Sequence, residues 1–330
     1  MKVIKVNEDE SLAWVEVEDP VCEPGGVIIG IHASAVNRAD LLQRAGKYPH
    51  PPGWPEWPGL EVAGVILEVG QDVDGSRWKV GDRVCALLGG GGYAEKVAVP
   101  AELLMPVPEG LSMAEAASLP EVFATAWLNL VNEAHLQSGE TMFVHAGASG
   151  VGIAALQIAK HLGARTVTSV GGQAKAELMR ELGVDRIVNH HEESVESVFD
   201  ECLASGHPID VVLDCVGGKT LGENLSKLAL EGRWVLIATL GGVTTELALR
   251  AVLTRRLRLI GSTLRSRSLE QKERILGELV EQLWPQFESG QIKPVVHTVL
   301  PIEQTDAAHQ ILKNRENRGK VVLTIRDGAA

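Results

Sequence analysis

His145-Ala146-Gly147-Ala148-Ser149-Gly150-Val151-Gly152 decides how this chain folds. It follows an apolar β-type run, TMFV (141–144), and opens VGIAALQIAKHL (151–162), whose apolar residues recur with helical periodicity. In a strand-to-helix context the pattern G-x-S-G-x-G is a variant of the dinucleotide fingerprint. Gly147 allows the tight turn, Ser149 takes the usual second-glycine place, and Gly152 allows the helix to pack close to the strand. The N–H groups at the helix start, at Gly150 and Val151, face a pyrophosphate, with the helix dipole favouring negative charge. Any tight strand-to-helix turn favours glycine, so the reading depends on what surrounds it.

Downstream runs a series of βα repeats: RTVTSV, a helix through Lys175 to Leu182, RIVNH, DVVLDCVGG, a helix from about Lys219 to Leu230, RWVLIATLGG and LRLIGSTL. Five or six such repeats predict a doubly wound parallel sheet. The N-terminal sequence differs. Up to about Pro108 short alternating runs (LAWVEVE, VIIGIHASAV, EVAGVILEVG, YAEKVAVP) are separated by Pro, Gly and Asp, which predicts an antiparallel, barrel-like β domain. Ser112-Met113-Ala114-Glu115 fits a capping box that starts a helix. The last 60 or so residues carry EQKERILGELVEQLWPQF as one amphipathic stretch, then VVHTVLP, a short helix around Ala307 to Leu312, and KVVLTI. The fold class is therefore α/β.

Bulk properties narrow the function. The 330 residues are 45% hydrophobic and 22% charged, enough for a large core, and no apolar run approaches the roughly 20 residues of a membrane span. The acidic start, MKVIKVNEDESLAW, does not suit a signal peptide, so a cytoplasmic location is expected. A net charge of −12 removes the electrostatic attraction that nucleic-acid binding needs. Cys22, Cys85, Cys202 and Cys215 are scattered, without metal-site spacing, and read as small core residues.

The choice of dinucleotide falls at the end of the second strand of the parallel sheet. An NAD site usually places an acid about 20 residues beyond the first glycine, to hold the ribose 2′-hydroxyl. Here Val167-Thr168-Ser169-Val170-Gly171-Gly172-Gln173 holds none, two glycines leave room, and Lys175 comes next but one. That reads as NADP, with NADPH the reductant.

Several stretches carry a family resemblance: SAVNRADLLQRAGKY, ALLGGGGYAEKVAVP, LMPVPEGL, ASLPEVFATAW, HAGASGVG, LDCVGG, ALEGRWVL, LRSR and GKVVLTI. Together they run nearly end to end. The chain resembles the medium-chain dehydrogenase/reductase superfamily and, within it, the zinc-free quinone oxidoreductases related to zeta-crystallin, closest to the p53-inducible branch. The resemblance implies a GroES-like catalytic domain (residues 1–122 and 263–330) around a Rossmann domain (123–262), with the active site in the cleft between them. It also implies dimers or tetramers, usually paired through the last Rossmann strands, here LRLIGSTL.

Carried over by position, the resemblance puts the adenosine phosphate near Gly171, Lys175 and His190, with Arg315 reaching in from the C-terminal segment. Close relatives have tyrosine where this chain has His190. Thr125 matches a threonine near the nicotinamide end, which Leu240, Gly241 and Leu264 line. Zinc-dependent relatives hold their metal with a cysteine and a G-H-E histidine. Here those places read Val36-Asn37-Arg38 and Gly59-Leu60-Glu61, and Gly89-Gly90-Gly91-Gly92 replaces the cysteine lobe.

Asn37, Asp40 and Tyr48 are the candidates for shaping the acceptor site, Asp40 alternatively as a helix cap. Trp54 and Trp57, in a proline-stiffened loop, are either walls for a planar substrate or anchors of that loop. The expected activity is NADPH-dependent, metal-free reduction of a quinone. Two alternatives stand beside it: an NADPH-dependent enone or enal reductase, and a crystallin-like structural or RNA-binding protein without turnover.

Overall fold

A computed structural model describes residues 1–325. Alternating apolar residues in the N-terminal part form β1 (Lys2–Val6) and β2 (Leu12–Glu16), an antiparallel hairpin. They are followed by β3 (Gly26–Val36), α1 (Arg38–Arg44), β4 (Glu61–Val69), β5 (Arg83–Leu87), β6 (Lys96–Pro100) and β7 (Leu104–Pro106). β3 pairs antiparallel with both β4 and β6, so almost every residue along its length is buried. α2 (Met113–Ala116) opens on the expected capping box. Ser112 Oγ accepts from Glu115 N at 3.3 Å, and the Glu115 carboxylate accepts from Ser112 N at 2.9 Å. α3 (Pro120–Trp127) starts on a proline, whose missing N–H costs nothing at a first helical position.

The parallel sheet is built from β8 (Thr141–Val144), α4 (Gly150–His161), β9 (Arg165–Val170), α5 (Gln173–Glu181), β10 (Arg186–Asn189), α6 (Val195–Ala204), β11 (Val211–Asp214), α7 (Gly218–Asn224), β12 (Arg233–Leu236), α8 (Leu249–Thr254) and β13 (Arg258–Gly261). Its strand order is β10-β9-β8-β11-β12-β13, with every pair parallel. The strand order reverses at β8, where a doubly wound sheet binds its ligand beyond the strand ends. Phe143, Phe199 and Trp234 anchor the core under one face of this sheet.

The chain then runs through α9 (Leu269–Glu288), β14 (Val296–Pro301), α10 (Thr305–Lys313) and β15 (Lys320–Thr324). β15 joins β3 antiparallel, which completes a sheet ordered β14-β15-β3-β4-β5-β7. The strands of the N-terminal part pair antiparallel, as expected; in the C-terminal stretch β14 and β15 are parallel. Helix α10 connects them, and a helical crossover is how parallel neighbours are joined. The helix expected over Lys219 to Leu230 is shorter: α7 stops at Asn224, and a 3₁₀ turn, Leu225–Lys227, leads Leu225 and Leu228 into the core. Of LRLIGSTL only Arg258–Gly261 is strand.

Two compact units result. One comprises Met1–Ala124 with the stretch from Arg265 onward, the other Thr125–Leu264. The first junction lies two residues beyond the expected boundary, and so does the second. Among the described residues no helix is long and apolar enough to cross a membrane.

Candidate cofactor and acceptor sites

In the second unit, α4 begins at Gly150, and Ser149 is its N-cap, with Oγ accepting from Gly152 N at 3.0 Å. Gly150 and Val151 form the half-exposed first turn, whose N–H groups have no partner within the helix. The left-handed residue of the turn is Ala146 (φ 54°), not Gly147. Gly147 is required for a different reason: a Cβ there would lie 2.1 Å from Thr168 Oγ1 on β9, and that hydroxyl is committed to Val144 O at 2.8 Å.

Behind this turn His145 is buried, and burial pushes its pKa down to about 4. Its Nδ1 lies 3.2 Å from Ser169 Oγ. Asp214, 4.0 Å from His145 Nε2, accepts from Val216 N, Gly217 N and Trp234 Nε1. A neutral His145 beside a carboxylate already saturated with donors is a packing element of the sheet's upper edge.

β9 ends at Val170, and Gly171-Gly172 turns the chain into α5 with Gly172 at φ 93°. Asn189 Oδ1 accepts from Gly172 N (3.0 Å) and His191 N (3.3 Å), which fixes the turn against the end of β10. A Cβ at Gly171 would meet His190 Nε2 at 3.0 Å and His191 Nε2 at 3.3 Å. The turn is therefore flanked by two exposed imidazoles, with Lys175 at the third position of α5. His191 was missed from sequence, although the doubled histidine was its visible signal. Imidazoles, an ammonium and a carboxylate-free glycine turn suit a phosphate. The residues thus fit a dinucleotide.

The remaining cofactor candidates are spread more widely. Leu240 and Gly241 are exposed, Leu264 is buried, and half-buried Thr125 accepts from Asn129 Nδ2 through its carbonyl at 2.7 Å. Arg315, exposed and at φ 59°, belongs to the first unit, whereas Gly171, Lys175 and His190 belong to the second.

In the first unit, Asn37 and Asp40 enter a buried polar network. Asp40 Oδ2 accepts from Asn37 N (2.7 Å) and Oδ1 from Gly59 N (3.0 Å), so Asp40 closes the capping box of α1 and pins β4's approach. Tyr93 Oη donates to Asp40 Oδ2 at 3.1 Å and lies 3.2 Å from His309 Nε2. Burial raises Asp40 to about 6 and lowers His309 to about 4. Asn37 Nδ2 donates to Glu61 Oε1 (2.8 Å), while Lys320 Nζ lies 2.7 Å from both Asn37 Oδ1 and Glu61 Oε1 and 2.9 Å from Val36 O. Where zinc-dependent relatives would place ligands, a lysine ammonium from β15 supplies the positive charge. Among the described residues no three His, Cys, Asp or Glu side chains form a metal-holding group.

Tyr48 lies apart from that network. It is half-buried, and the Arg265 guanidinium lies 4.5 Å over its ring. Burial raises the phenol's pKa, opposed by the Arg265 charge. Glu121, in the first turn of α3, is raised to about 8 by burial and then by the charge of Glu61, whose Oε2 accepts from Glu121 N at 2.9 Å. Trp54 and Trp57 anchor their loop: Trp57 Nε1 donates to Gly91 O at 3.0 Å, and a Cβ at Gly89 would be 2.6 Å from the Trp54 indole.

A strand order reversing at β8, a glycine turn onto α4 and a phosphate-suited turn after β9 define a nucleotide-dependent oxidoreductase of two units. Comparison with known proteins agrees. Residues 23–109 match the alcohol dehydrogenase GroES-like domain, and residues 150–281 match the zinc-binding dehydrogenase domain. The chain is 30% identical to the quinone oxidoreductase of Mus musculus, over 94% of this chain and 92% of that one. Among solved structures, the quinone oxidoreductase from Thermus thermophilus, solved also in complex with NADPH, is 33% identical with TM-score 0.81, covering 98% of this chain and 100% of that one. The apo JamJ enoyl reductase is 26% identical with TM-score 0.85, over 98% of this chain and 99% of that one. The chain belongs to the medium-chain dehydrogenase/reductase superfamily, and it is an NAD(P)-dependent oxidoreductase.

Proposed function

We propose that this protein is an NADPH-dependent quinone oxidoreductase that needs no metal. The observation that carries the cofactor choice is the turn at Gly171-Gly172, free of carboxylate and flanked by His190, His191 and Lys175. Two quinone oxidoreductases among the relatives support the acceptor class. When bound, the nicotinamide supplies the reducing equivalents, as hydride or as single electrons.

The chain's own residues bind and orient. The first turn of α4 and Ser149 hold the pyrophosphate, while Lys175 and His190 neutralise the 2′-phosphate. Thr125, Leu240, Gly241 and Leu264 border the nicotinamide. Tyr48 presents its phenol to a quinone oxygen as charge builds there. Asn37 and Asp40 act on this site indirectly, because their polar atoms are spent on Glu61, Lys320, Gly59 and Tyr93. A quinone is already a strong acceptor, so it needs less polarisation than an alcohol or a simple carbonyl.

Lys175→Ala tests the cofactor choice. A charge-assisted contact is worth about 1.5 to 3 kcal/mol, so NADPH affinity should fall roughly tenfold or more, with NADH little changed. Equal affinity of the unaltered protein for NADPH and NADH would refute it.

A second reading, an NADPH-dependent enone or enal reductase, is favoured by one observation. Glu121 is held protonated at neutral pH, and reduction of an activated C=C bond needs a proton as well as a hydride. The enoyl reductase among the structural neighbours points the same way. A panel of quinones and enones, assayed with NADPH under one condition, separates the two readings by their kcat/KM values.

A further inference from the structure

Adjacent side chains on extended backbone point to opposite faces, so a doubled histidine at the end of a strand would ordinarily be split. Here the chain turns as it leaves β10 at Asn189, and both imidazoles come to one place. His190 N donates to Val170 O at 3.0 Å and His191 N to Asn189 Oδ1 at 3.3 Å, while Glu192 N and Glu193 N donate to Asn189 O at 2.8 and 3.0 Å. The turn is therefore held at each residue. Its result is that His190 Nε2 and His191 Nε2 converge on the space beside Gly171, with ring centroids 4.9 Å apart and the rings perpendicular. Both rings are exposed, and the whole cluster lies within the second unit.

The charges that face this pair come from three directions. α5 brings Lys175 and has no acid in its first turn. In the turn itself the Glu192 carboxylate accepts from Asn189 Nδ2 at 2.7 Å, and Glu193 is paired with Arg186 at 2.8 Å. From β8 comes His145, kept neutral by burial first, with His190 among the charges acting on it. A phosphate monoester loses its second proton near pH ~6, and imidazole changes charge in the same range.

We propose that His190 and His191 together discriminate for the 2′-phosphate of the cofactor, and that they do so by taking up a proton when the phosphate is seated against them. This rests on the reading of the cofactor as NADP(H). Lys175 supplies a charge that is present throughout, whereas the histidine pair supplies one that appears with the ligand. Two like charges so close oppose one another, and a dianion against both removes the opposition. A group that holds its proton more firmly in the complex strengthens binding below its free titration range, and that contribution fades as pH rises above the range. Affinity for NADP(H) therefore rises on acidification until the phosphate takes up a proton of its own. NAD(H), which presents a neutral hydroxyl at the same place, does not share the rise.

The experiment is calorimetric titration with NADP⁺ and NAD⁺ in steps from about pH 8 to about pH 6. The ratio of the two affinities should rise roughly five- to twentyfold over that span, one pKa unit being worth about tenfold. His190→Tyr and His191→Asn should each reduce the rise and together remove it, while a preference for NADP⁺ remains at the alkaline end. Lys175→Ala should lower the ratio at every pH and keep the rise, a separation that a merely structural role would not show. Repeating the titration near neutral pH in buffers of different ionisation heat counts protons. The unaltered protein should take up about half a proton to one more with NADP⁺ than the double variant does. A preference for NADP⁺ that is the same at every pH, or a proton count unchanged in the double variant, overturns this proposal and leaves the NADPH reading standing. Equal affinity for the two cofactors at every pH overturns both. The pH profile of the unaltered protein decides even where a variant fails to fold.

Discussion

Lys320 holds together the buried charges around β3 and β4, and nothing local in the sequence announces it. Its ammonium, 6% exposed, faces a fully buried Glu61 carboxylate and the Asn37 amide, both far from it along the chain. Asn37 and Glu61 were legible as residues occupying ligand positions; the cation that answers them was not, because β15 pairs with β3 only once the chain has folded. Breaking a buried pair from one side leaves an uncompensated charge and costs about 3–5 kcal/mol. Lys320→Met should lose stability on that scale in denaturant unfolding, and the double change with Glu61→Gln should recover a good part of it. With Asn37 and Glu61 committed in this way, treatment with a chelator should leave turnover unchanged, and stoichiometric zinc whose removal stops turnover would count against the metal-free mechanism. For Tyr48, Phe keeps the ring under Arg265 and deletes only the hydroxyl. A loss of roughly 3- to 30-fold in kcat/KM is expected, less than for a donor facing a tetrahedral oxyanion, with NADPH affinity unchanged. An unaltered rate would make the phenol a wall.

At the scale of elements, local signals and tertiary demands part company in an instructive way. The capping box at Ser112 was readable because it is settled within a few residues; the turn onto α4 was readable as a motif, but not the reason for Gly147, which is Thr168 on β9. The tryptophan loop was not, since its choice between wall and anchor depends on Gly89 and Gly91, distant in the chain. The parallel β14–β15 pair was likewise hidden behind a short helix that any β domain could have carried. Helix α3 adds a pH dependence. Glu121 titrates at about 8 in the folded protein against 4.5 ordinarily, and Asp40 at about 6 against 3.8. For an acid whose pKa rises on folding, the native state binds more protons than the unfolded state between the two values. Stability is therefore greatest below about pH 4.5 as far as Glu121 is concerned, and declines as pH rises to about 8. One proton limits the slope to roughly 1.4 kcal/mol per pH unit. Glu121→Gln should flatten the decline between about pH 6 and 8 while leaving the Asp40 portion below 6. A stability profile with the same slope in both proteins would show that Glu121 is ionised throughout.

The whole molecule was legible as two units because two periodicities, one of strands and one of βα repeats, divide the sequence. Its assembly is a different matter, since one chain shows only what it leaves unpaired. β13 is the edge of the parallel sheet, and its inner N–H groups are used: Arg258 N donates to Gly232 O and Ser262 N to Leu236 O. Alternation then points the N–H groups of Leu259 and Gly261 outward. The same unit exposes apolar side chains at Leu259 (47%), Leu249 (72%) and Leu253 (78%). An unguarded strand edge with exposed leucines nearby is what a monomer avoids and a two-fold partner covers. We propose that two copies pair their β13 edges into a continuous sheet, an isologous contact in which each strand meets its own copy. Sedimentation at micromolar concentration should then give a dimer or a multiple of it. Leu259→Pro removes one outward N–H and leaves the bonds to β12 intact, so it should dissociate the dimer with little loss of monomer stability; Leu259→Asp should do the same by charge repulsion across the axis. A monomeric unaltered protein, or a dimer indifferent to both changes, would place the contact elsewhere or remove it. Dissociation that leaves NADPH binding untouched would further show that each copy holds its cofactor alone.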